Sequence, residues 1–269
     1  MKLTKKLLPA LGMLALSACM LVTSTFAWFA MNENVKAIGM SVTAKGDQVY
    51  LQIMSGSGAD IFNGKDGAAL PEATATDKAS STILPSNVVS TINDPATSCE
   101  DYNGDEDIIW VTNVGKSNTE GEAISTYTNV TTDATNANGT YYIKNTFSIR
   151  LDPTAGAEAA GAPLTISAIS LSAAPDAADE FVGCLSVLVV STIDSQVMGQ
   201  VWAWDGSKFA KTLGATALSD GNFTAANPAT VDVYVFFNGD DEDCTQAALA
   251  TAQNTAYNVS VSFTVRAAA

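Results

Sequence analysis

The stretch that decides the fold is Cys184-Leu185-Ser186-Val187-Leu188-Val189-Val190, in which Ser186 is the one polar residue. Its β-branched valines favour extended backbone. A strand with one solvent-facing side alternates apolar and polar residues, whereas a nearly continuous apolar run is typical of a strand buried on both sides. The stretch therefore predicts a strand that is covered by protein on both faces.

Segments of similar character recur on either side of it, separated by clusters of Gly, Pro, Asn, Asp and Ser that favour turns. Two of them, residues 257–265 and 147–151, alternate apolar and polar side chains, as a strand with one buried face does. Residues 245–254, rich in alanine, form the one segment with helical character. The predicted strands are residues 38–44, 48–54, 108–112, 141–151, 164–172, 182–192, 197–204, 231–237 and 257–266.

Strands without alternating helices predict an all-β fold, here a two-sheet antiparallel sandwich of jelly-roll type with long loops and one short helix. The connections at residues 55–86, 113–140 and 153–163 are long and rich in small or polar residues. We interpret them as solvated surface loops. None of them divides the strands into two separate cores, so residues 46–269 are predicted to form a single β-sandwich domain.

The N-terminus has the pattern of a secretory signal peptide. Three lysines among the first six residues precede an uncharged run, residues 7–31, which contains small residues near its end. The run is also about as long as the roughly 20 residues of a membrane span, so a retained anchor is one alternative. Acylation at Cys19, as in lipoproteins, is another. We expect cleavage after Ala27, which makes residues 1–27 a signal peptide.

Two short motifs carry a family resemblance. Thr25-Phe26-Ala27-Trp28-Phe29, followed by Gly39-Met40-Ser41-Val42, resembles the start of the TasA/camelysin family of Gram-positive surface and biofilm-matrix proteins. Residues 233–240, with Cys244 close behind and a final predicted strand, are a second similarity to the same family. That family is processed by a signal peptidase of the SipW type. The resemblance implies a cut between Ala27 and Trp28.

In that family an N-terminal segment of one subunit fills a groove in the next, which is a form of β-strand addition. The resemblance implies that residues 28–45 form such an arm or donor strand. Copies of this protein would then join into a cell-surface filament or biofilm matrix. The alternative is that residues 38–44 are simply the first strand of their own domain. The subunit contacts implied by the resemblance are Trp28, Phe29, Val35, Ile38, Met40 and Val42.

The charge balance limits the partners. The chain has 28 acidic and 13 basic residues, and cleavage after Ala27 would leave 28 acidic and 10 basic residues, a net charge of −18. Such a surface repels phosphate backbones and anionic lipid, so we expect no nucleic acid and no membrane contact beyond the signal peptide. We predict a secreted, extracellular or cell-surface protein. A monomeric adhesin or carbohydrate-binding module, anchored by Trp202 and Trp204, is the alternative function.

The chain contains no histidine. This excludes Ser-His-Asp and Cys-His nucleophile activation and the HExxH zinc site, so the peptidase label attached to camelysin-type proteins is not carried over. A hydrolase based on two carboxylates remains as a third hypothesis. It would need two acids facing each other across a cleft in different environments. We therefore predict that the protein is not an enzyme.

Two acidic turns are candidates for calcium. Asp101, Asn103, Asp105 and Asp107 supply oxygen atoms at alternate positions, as calcium loops do, although the EF-hand pattern is not met at the sixth and twelfth places. Residues 238–243 form a similar turn. Plain acidic hairpin turns are the preferred explanation of both, because Asn-Gly favours tight hairpins without an ion. We predict no cofactor, with calcium as the alternative.

Cysteine pairing stays open at this stage. Cleavage would remove Cys19 and leave Cys99, Cys184 and Cys244. Cys184 lies in the most apolar predicted strand and is interpreted as a buried thiol. Cys99 and Cys244 each border an acidic turn, so a disulfide between them is conceivable in an exported protein. Two unpaired loop thiols are the other possibility.

Overall fold

A computed structural model describes residues 41–46, 51–66, 68, 70, 72–75, 83–94, 98–105, 107–113, 127–131, 140–154, 162–171, 183–244 and 258–265. Within these ranges the chain forms fourteen β-strands and one 3-10 helix, Ala59–Phe62. The strands are β1 (Ser41–Lys45), β2 (Leu51–Ser55), β3 (Glu72–Ala75), β4 (Asn87–Asp94), β5 (Ser98–Asp101), β6 (Ile109–Asn113), β7 (Tyr127–Asn129), β8 (Ile143–Leu151), β9 (Leu164–Leu171), β10 (Leu185–Ile193), β11 (Gln196–Trp204), β12 (Phe209–Gly214), β13 (Ala229–Phe237) and β14 (Asn258–Val265).

The predicted all-β antiparallel sandwich is confirmed, and each of the nine predicted strands overlaps an observed one. The strands form three sheets where the sequence predicted two. The jelly-roll connection pattern stays a prediction. The helix predicted at residues 245–254 lies outside the described part of the chain.

The central sheet has six antiparallel strands in the order β12-β11-β10-β13-β8-β2. β10 pairs with β11 on one side and with β13 on the other, where Leu185 lies opposite Phe237. Its side chains are buried on both faces, as the apolar run predicted. Val187 and Val189 pack into one hydrophobic cluster, and Leu188 and Val190 pack into a second cluster on the opposite face.

The first cluster, here the inner core, lies between the central sheet and a second sheet with the order β3-β1-β14-β9. We call this second sheet the β1 sheet. In β14 every other residue is buried, which confirms the predicted alternation. Val259, Val261 and Phe263 point into the inner core. The β1 sheet is mixed, because β1 pairs in parallel with β14 whereas the other two pairs are antiparallel.

The second cluster, here the outer core, is covered by a third sheet with the order β5-β4-β6-β7. Trp110 in β6 is its centre. The Trp110 ring centroid lies 4.4 Å from Tyr142, 5.7 Å from Tyr234 and 5.1 Å from Phe236, within the range in which aromatic pairs attract. Of the four strands in this third sheet, the sequence predicted β6 alone. The short strands β4, β5 and β7 acquire their structure by pairing across the third sheet.

β8 differs from its predicted alternation. Phe147 and Ile149 are buried as expected, but Ser148 and Arg150 on the opposite face are buried too. The segment around the 3-10 helix covers that face: Arg150 Nη2 lies 2.9 Å from Asp66 Oδ1, and its guanidinium carbon lies 4.6 Å from the Phe62 ring centroid. Arg150 Nε also donates to Gln52 Oε1 at 2.8 Å. A buried arginine needs such partners, and all of them are distant in sequence.

Backbone segments approach one another closely where the loop after β5 meets β11. Gly199 N donates to Gly104 O at 2.9 Å, and Tyr102 is fully buried with its hydroxyl donating to Asp105 O at 2.8 Å. A Cβ atom added to Gly199 would lie 2.2 Å from the Tyr102 hydroxyl oxygen and 2.9 Å from its ring. Any side chain at position 199 would therefore displace this tyrosine, which helps to hold the third sheet on the central one.

We expect Gly199→Ala to lower the free energy of unfolding by about 1–3 kcal/mol, because overpacking forces a buried ring to shift. Denaturant titration measures this change. Adding Tyr102→Phe to the Gly199→Ala variant should recover part of the lost stability, since it removes the hydroxyl oxygen, which is the atom nearest to the added Cβ. Gly221→Ala is the matched control: a Cβ there meets no atom within 4 Å, so its effect should stay within about 0.5 kcal/mol. Equal effects of the two alanine substitutions would contradict the proposed close approach.

Candidate functional site

The strand that the sequence associates with assembly is β1. Its residues alternate, so that Val42 and Ala44 are fully buried in the inner core and Thr43 is half-buried on the opposite face. The parallel register with β14 runs from Ser41 opposite Asn258 to Lys45 opposite Ser262. A strand from the start of the described chain therefore packs directly beside the last described strand.

β1 is hydrogen-bonded on both sides, because β3 pairs with its other edge in antiparallel register. Thr43 lies opposite Thr74, and their hydroxyl oxygens are 3.1 Å apart. Without β1, the strands β3 and β14 would each present an unpaired backbone edge. Removal of the buried Val42 and Ala44 side chains together with β1 would leave an apolar gap between those edges. We call the position between β3 and β14, which the five residues of β1 fill, the slot. In the described residues β3 pairs with no strand other than β1, so β1 itself holds that side of the slot.

Among the predicted subunit contacts, Val42 alone lies in the described part of the chain. Trp28, Phe29, Val35, Ile38 and Met40 lie outside it, as does the predicted cut between Ala27 and Trp28. Within this chain, β1 occupies the slot of its own domain. The boundary predicted at residue 45 therefore falls at the end of a sandwich strand, and docking of the arm on a neighbouring copy stays a prediction.

The first acidic turn uses its oxygen atoms for the turn itself. Asn103 Oδ1 accepts a hydrogen bond from Asp105 N at 3.0 Å, and Asp105 Oδ1 accepts one from Asp107 N at 3.0 Å. Asp105 Oδ2 accepts from Asn103 Nδ2 at 2.7 Å. The fourth calcium candidate, Asp101, is exposed at the end of β5. Side chains bonded in this manner form consecutive Asx turns, which need no ion.

The second acidic turn is built in the same manner. Asn238 Oδ1 accepts from Asp240 N, and Asp241 Oδ1 accepts from Asp243 N, both at 3.0 Å. Asp240 also accepts a hydrogen bond from Asn87 at the start of β4. In the described part of the chain, no three Asp, Glu, His or Cys side chains converge as metal ligands would. Calcium therefore stays an untested alternative for both turns.

The two tryptophans of the adhesin alternative belong to the sandwich. Trp202 and Trp204 are partly buried and pack against the inner core. Trp204 makes an edge contact with Phe209 at 5.2 Å between centroids, and Trp202 Nε1 donates to Gln200 Oε1 at 3.2 Å. Packing against the inner core accounts for the positions of both side chains without a ligand.

The proximity of two cysteines was not predicted from the sequence. Cys184 is buried in the inner core and Cys244 packs against that core, whereas the conceivable pairing was between Cys99 and Cys244. None of the three cysteines in the described residues forms a disulfide in this structure. Cys184 lies inside the predicted strand 182–192 and Cys244 lies beyond the end of the predicted strand 231–237, so no local pattern connected the two. Their meeting depends on the pairing of β10 with β13.

Because the turn oxygens are bonded internally, we expect melting curves in calcium and in chelator to superimpose at low salt. A calcium ion bound to the native state alone would instead stabilise it by about 3 kcal/mol at a hundred times its dissociation constant. Asp105→Asn is the matched variant, since it keeps the Oδ1 acceptor and removes the charge. A calcium-dependent rise in Tm that disappears in this variant would establish a calcium site.

No helix in the described residues is both long and apolar enough to span a membrane. Searches of protein-family models, curated proteins and solved structures found no match to this chain. The resemblance to the TasA/camelysin family therefore stays a prediction that rests on the short motifs quoted above.

Proposed function

We propose that the protein is a secreted structural subunit of a cell-surface filament or biofilm matrix whose copies join by exchange of an N-terminal strand. It acts without catalysis, and its partners are other copies of itself, with a signal peptidase during export. The observation that supports this proposal is the slot between β3 and β14. Because β1 fills it from near the start of the chain, the same slot of a neighbouring copy would accept the same strand.

Exchange would preserve the contacts that hold β1. The register with β14 and β3, and the burial of Val42 and Ala44, would be identical whether the strand came from the same chain or from another. The competing states therefore differ mainly in the connection between β1 and β2, residues 46–50. That connection is short and begins tightly, since a Cβ on Gly46 would lie 2.8 Å from Leu51 Cβ. Short hinge connections favour exchange between copies.

Charge would set the conditions for assembly. A net charge of −18 on each processed subunit opposes close association of copies. Salt screens exposed charges over a distance of about 8–10 Å at physiological ionic strength. The backbone pairing and apolar contacts of β1 are short-ranged, so they persist when the repulsion is screened. Assembly should therefore be favoured as salt increases.

The proposal is tested by a cross-link between β1 and β3. In the variant Thr43→Cys/Thr74→Cys the new sulfur atoms would occupy positions where the hydroxyl oxygens are 3.1 Å apart, close enough for a disulfide after a small adjustment. We expect oxidation of fibres of this variant to yield a covalent ladder on a non-reducing gel. Peptide mapping should assign the link to residues 43 and 74. Electron microscopy of the same sample shows whether fibres are present.

Ser170→Cys/Ser260→Cys is the matched control, because these residues lie opposite each other in β9 and β14, which exchange of β1 leaves in one chain. Its cross-link should stay within single chains in monomers and in fibres. A β1–β3 link found only within single chains in fibres would contradict strand exchange. Absence of fibres at every salt concentration would contradict the structural function itself.

A further inference from the structure

We propose that Cys184 and Cys244 form a redox-closable pair, which an external disulfide oxidises to a disulfide that ties the start of β10 to the turn after β13. The proposal concerns each subunit by itself. It does not depend on strand exchange, and it assigns a covalent modification to a pair of residues that the assembly proposal leaves unused.

The geometry brings the two residues to the same end of neighbouring strands. Cys184 directly precedes β10, and Cys244 ends the turn that follows β13. The two strands are paired up to this end, where Leu185 lies opposite Phe237. Asn238 N donates to Cys184 O at 2.8 Å, so the first residue of the turn is hydrogen-bonded to the cysteine of the other strand.

The rest of the turn folds back onto the same place. Cys244 N donates to Asp241 O at 3.0 Å, which closes its final part. A Cβ on Gly183 would lie 2.8 Å from Asp243 Cβ, so the residues preceding the two cysteines are also in close approach. Cys184 is fully buried in the inner core, and Cys244 is half-buried against that core. Both side chains therefore belong to the same packed region, at one end of the paired strands.

The unequal burial defines the order of the reaction. The thiolate of Cys244, which solvent reaches, attacks one sulfur of the external disulfide, forms a mixed disulfide and releases one thiol. Cys184 then loses its proton, attacks the Cys244 sulfur and releases the second external thiol. Two protein thiols are thereby oxidised by two electrons, and one external disulfide is reduced to two thiols. The oxidant is any small or protein disulfide of the export compartment.

The Cys184 thiol is a poor first nucleophile. Its hydrogen bond to Cys244, together with burial, raises its pKa well above the ordinary value. The third cysteine is also disfavoured: burial and the nearby Asp240 carboxylate raise the pKa of the Cys99 thiol. Because thiolates are the reactive species, we expect oxidation to begin at Cys244 and to finish at Cys184, which lies at the same end of the paired strands.

The test uses the secreted protein, folded and equilibrated with oxidised glutathione, and then digested without reduction after the remaining thiols have been alkylated. We expect a linked pair of peptides containing Cys184 and Cys244, with Cys99 alkylated. The Tm of the oxidised protein should exceed that of the reduced protein by roughly 5–15 °C, because the link closes a long loop of the unfolded chain.

Two variants distinguish a disulfide between Cys184 and Cys244 from one between Cys99 and Cys244. Cys99→Ala should keep the redox-dependent difference in Tm, whereas Cys244→Ala should abolish it. A linked peptide joining Cys99 to Cys244 would overturn the proposal. So would recovery of wild-type protein with both Cys184 and Cys244 alkylated after equilibration. Both outcomes are read from wild-type protein and therefore do not require that any variant folds.

Discussion

The structure depends on burial of β10 on both of its faces. Val187 and Val189 enter the inner core while Leu188 and Val190 enter the outer core, and no solvent-facing side remains. Burying a side chain of this size contributes about 1.5–3 kcal/mol relative to exposure. A strand of this composition therefore needs a layer on each side. The β1 sheet supplies one layer, and the sheet of β4, β5, β6 and β7 supplies the other.

The two covering layers are held differently. The third sheet is fixed by aromatic packing around Trp110 and by the close approach of Tyr102 to Gly199, which leave no room for sliding. The β1 sheet instead contains a strand from near the start of the chain, held by backbone pairing on two edges and two small apolar side chains. The β1 strand of any copy of this protein can make the same contacts with β14 and β3. This equivalence is the physical basis of the proposed exchange between copies.

The turn after β13 joins several of these features. Asn238 Oδ1 and Asp241 Oδ1 accept hydrogen bonds within the turn, and Asp240 accepts a hydrogen bond from Asn87 of the third sheet. Its last residue, Cys244, packs against the inner core that contains Cys184, the residue before β10. One acidic segment thus links the central sheet to the layer above it and carries the proposed redox pair.

The sequence by itself determined nine of the fourteen strands and that β10 is covered twice, because β-branching and the spacing of apolar residues are local properties. It also separated the buried side of β14 from its exposed side. Only the tertiary structure decided that a third sheet covers β10 and that Arg150 is buried against Phe62 and Asp66. The same packing placed Cys244 against the core that contains Cys184. It also decided the parallel pairing of Ser41 with Asn258. Each of these outcomes joins residues distant in the chain, and the choice among distant partners depends on which pairs bury surface together, which no local pattern records.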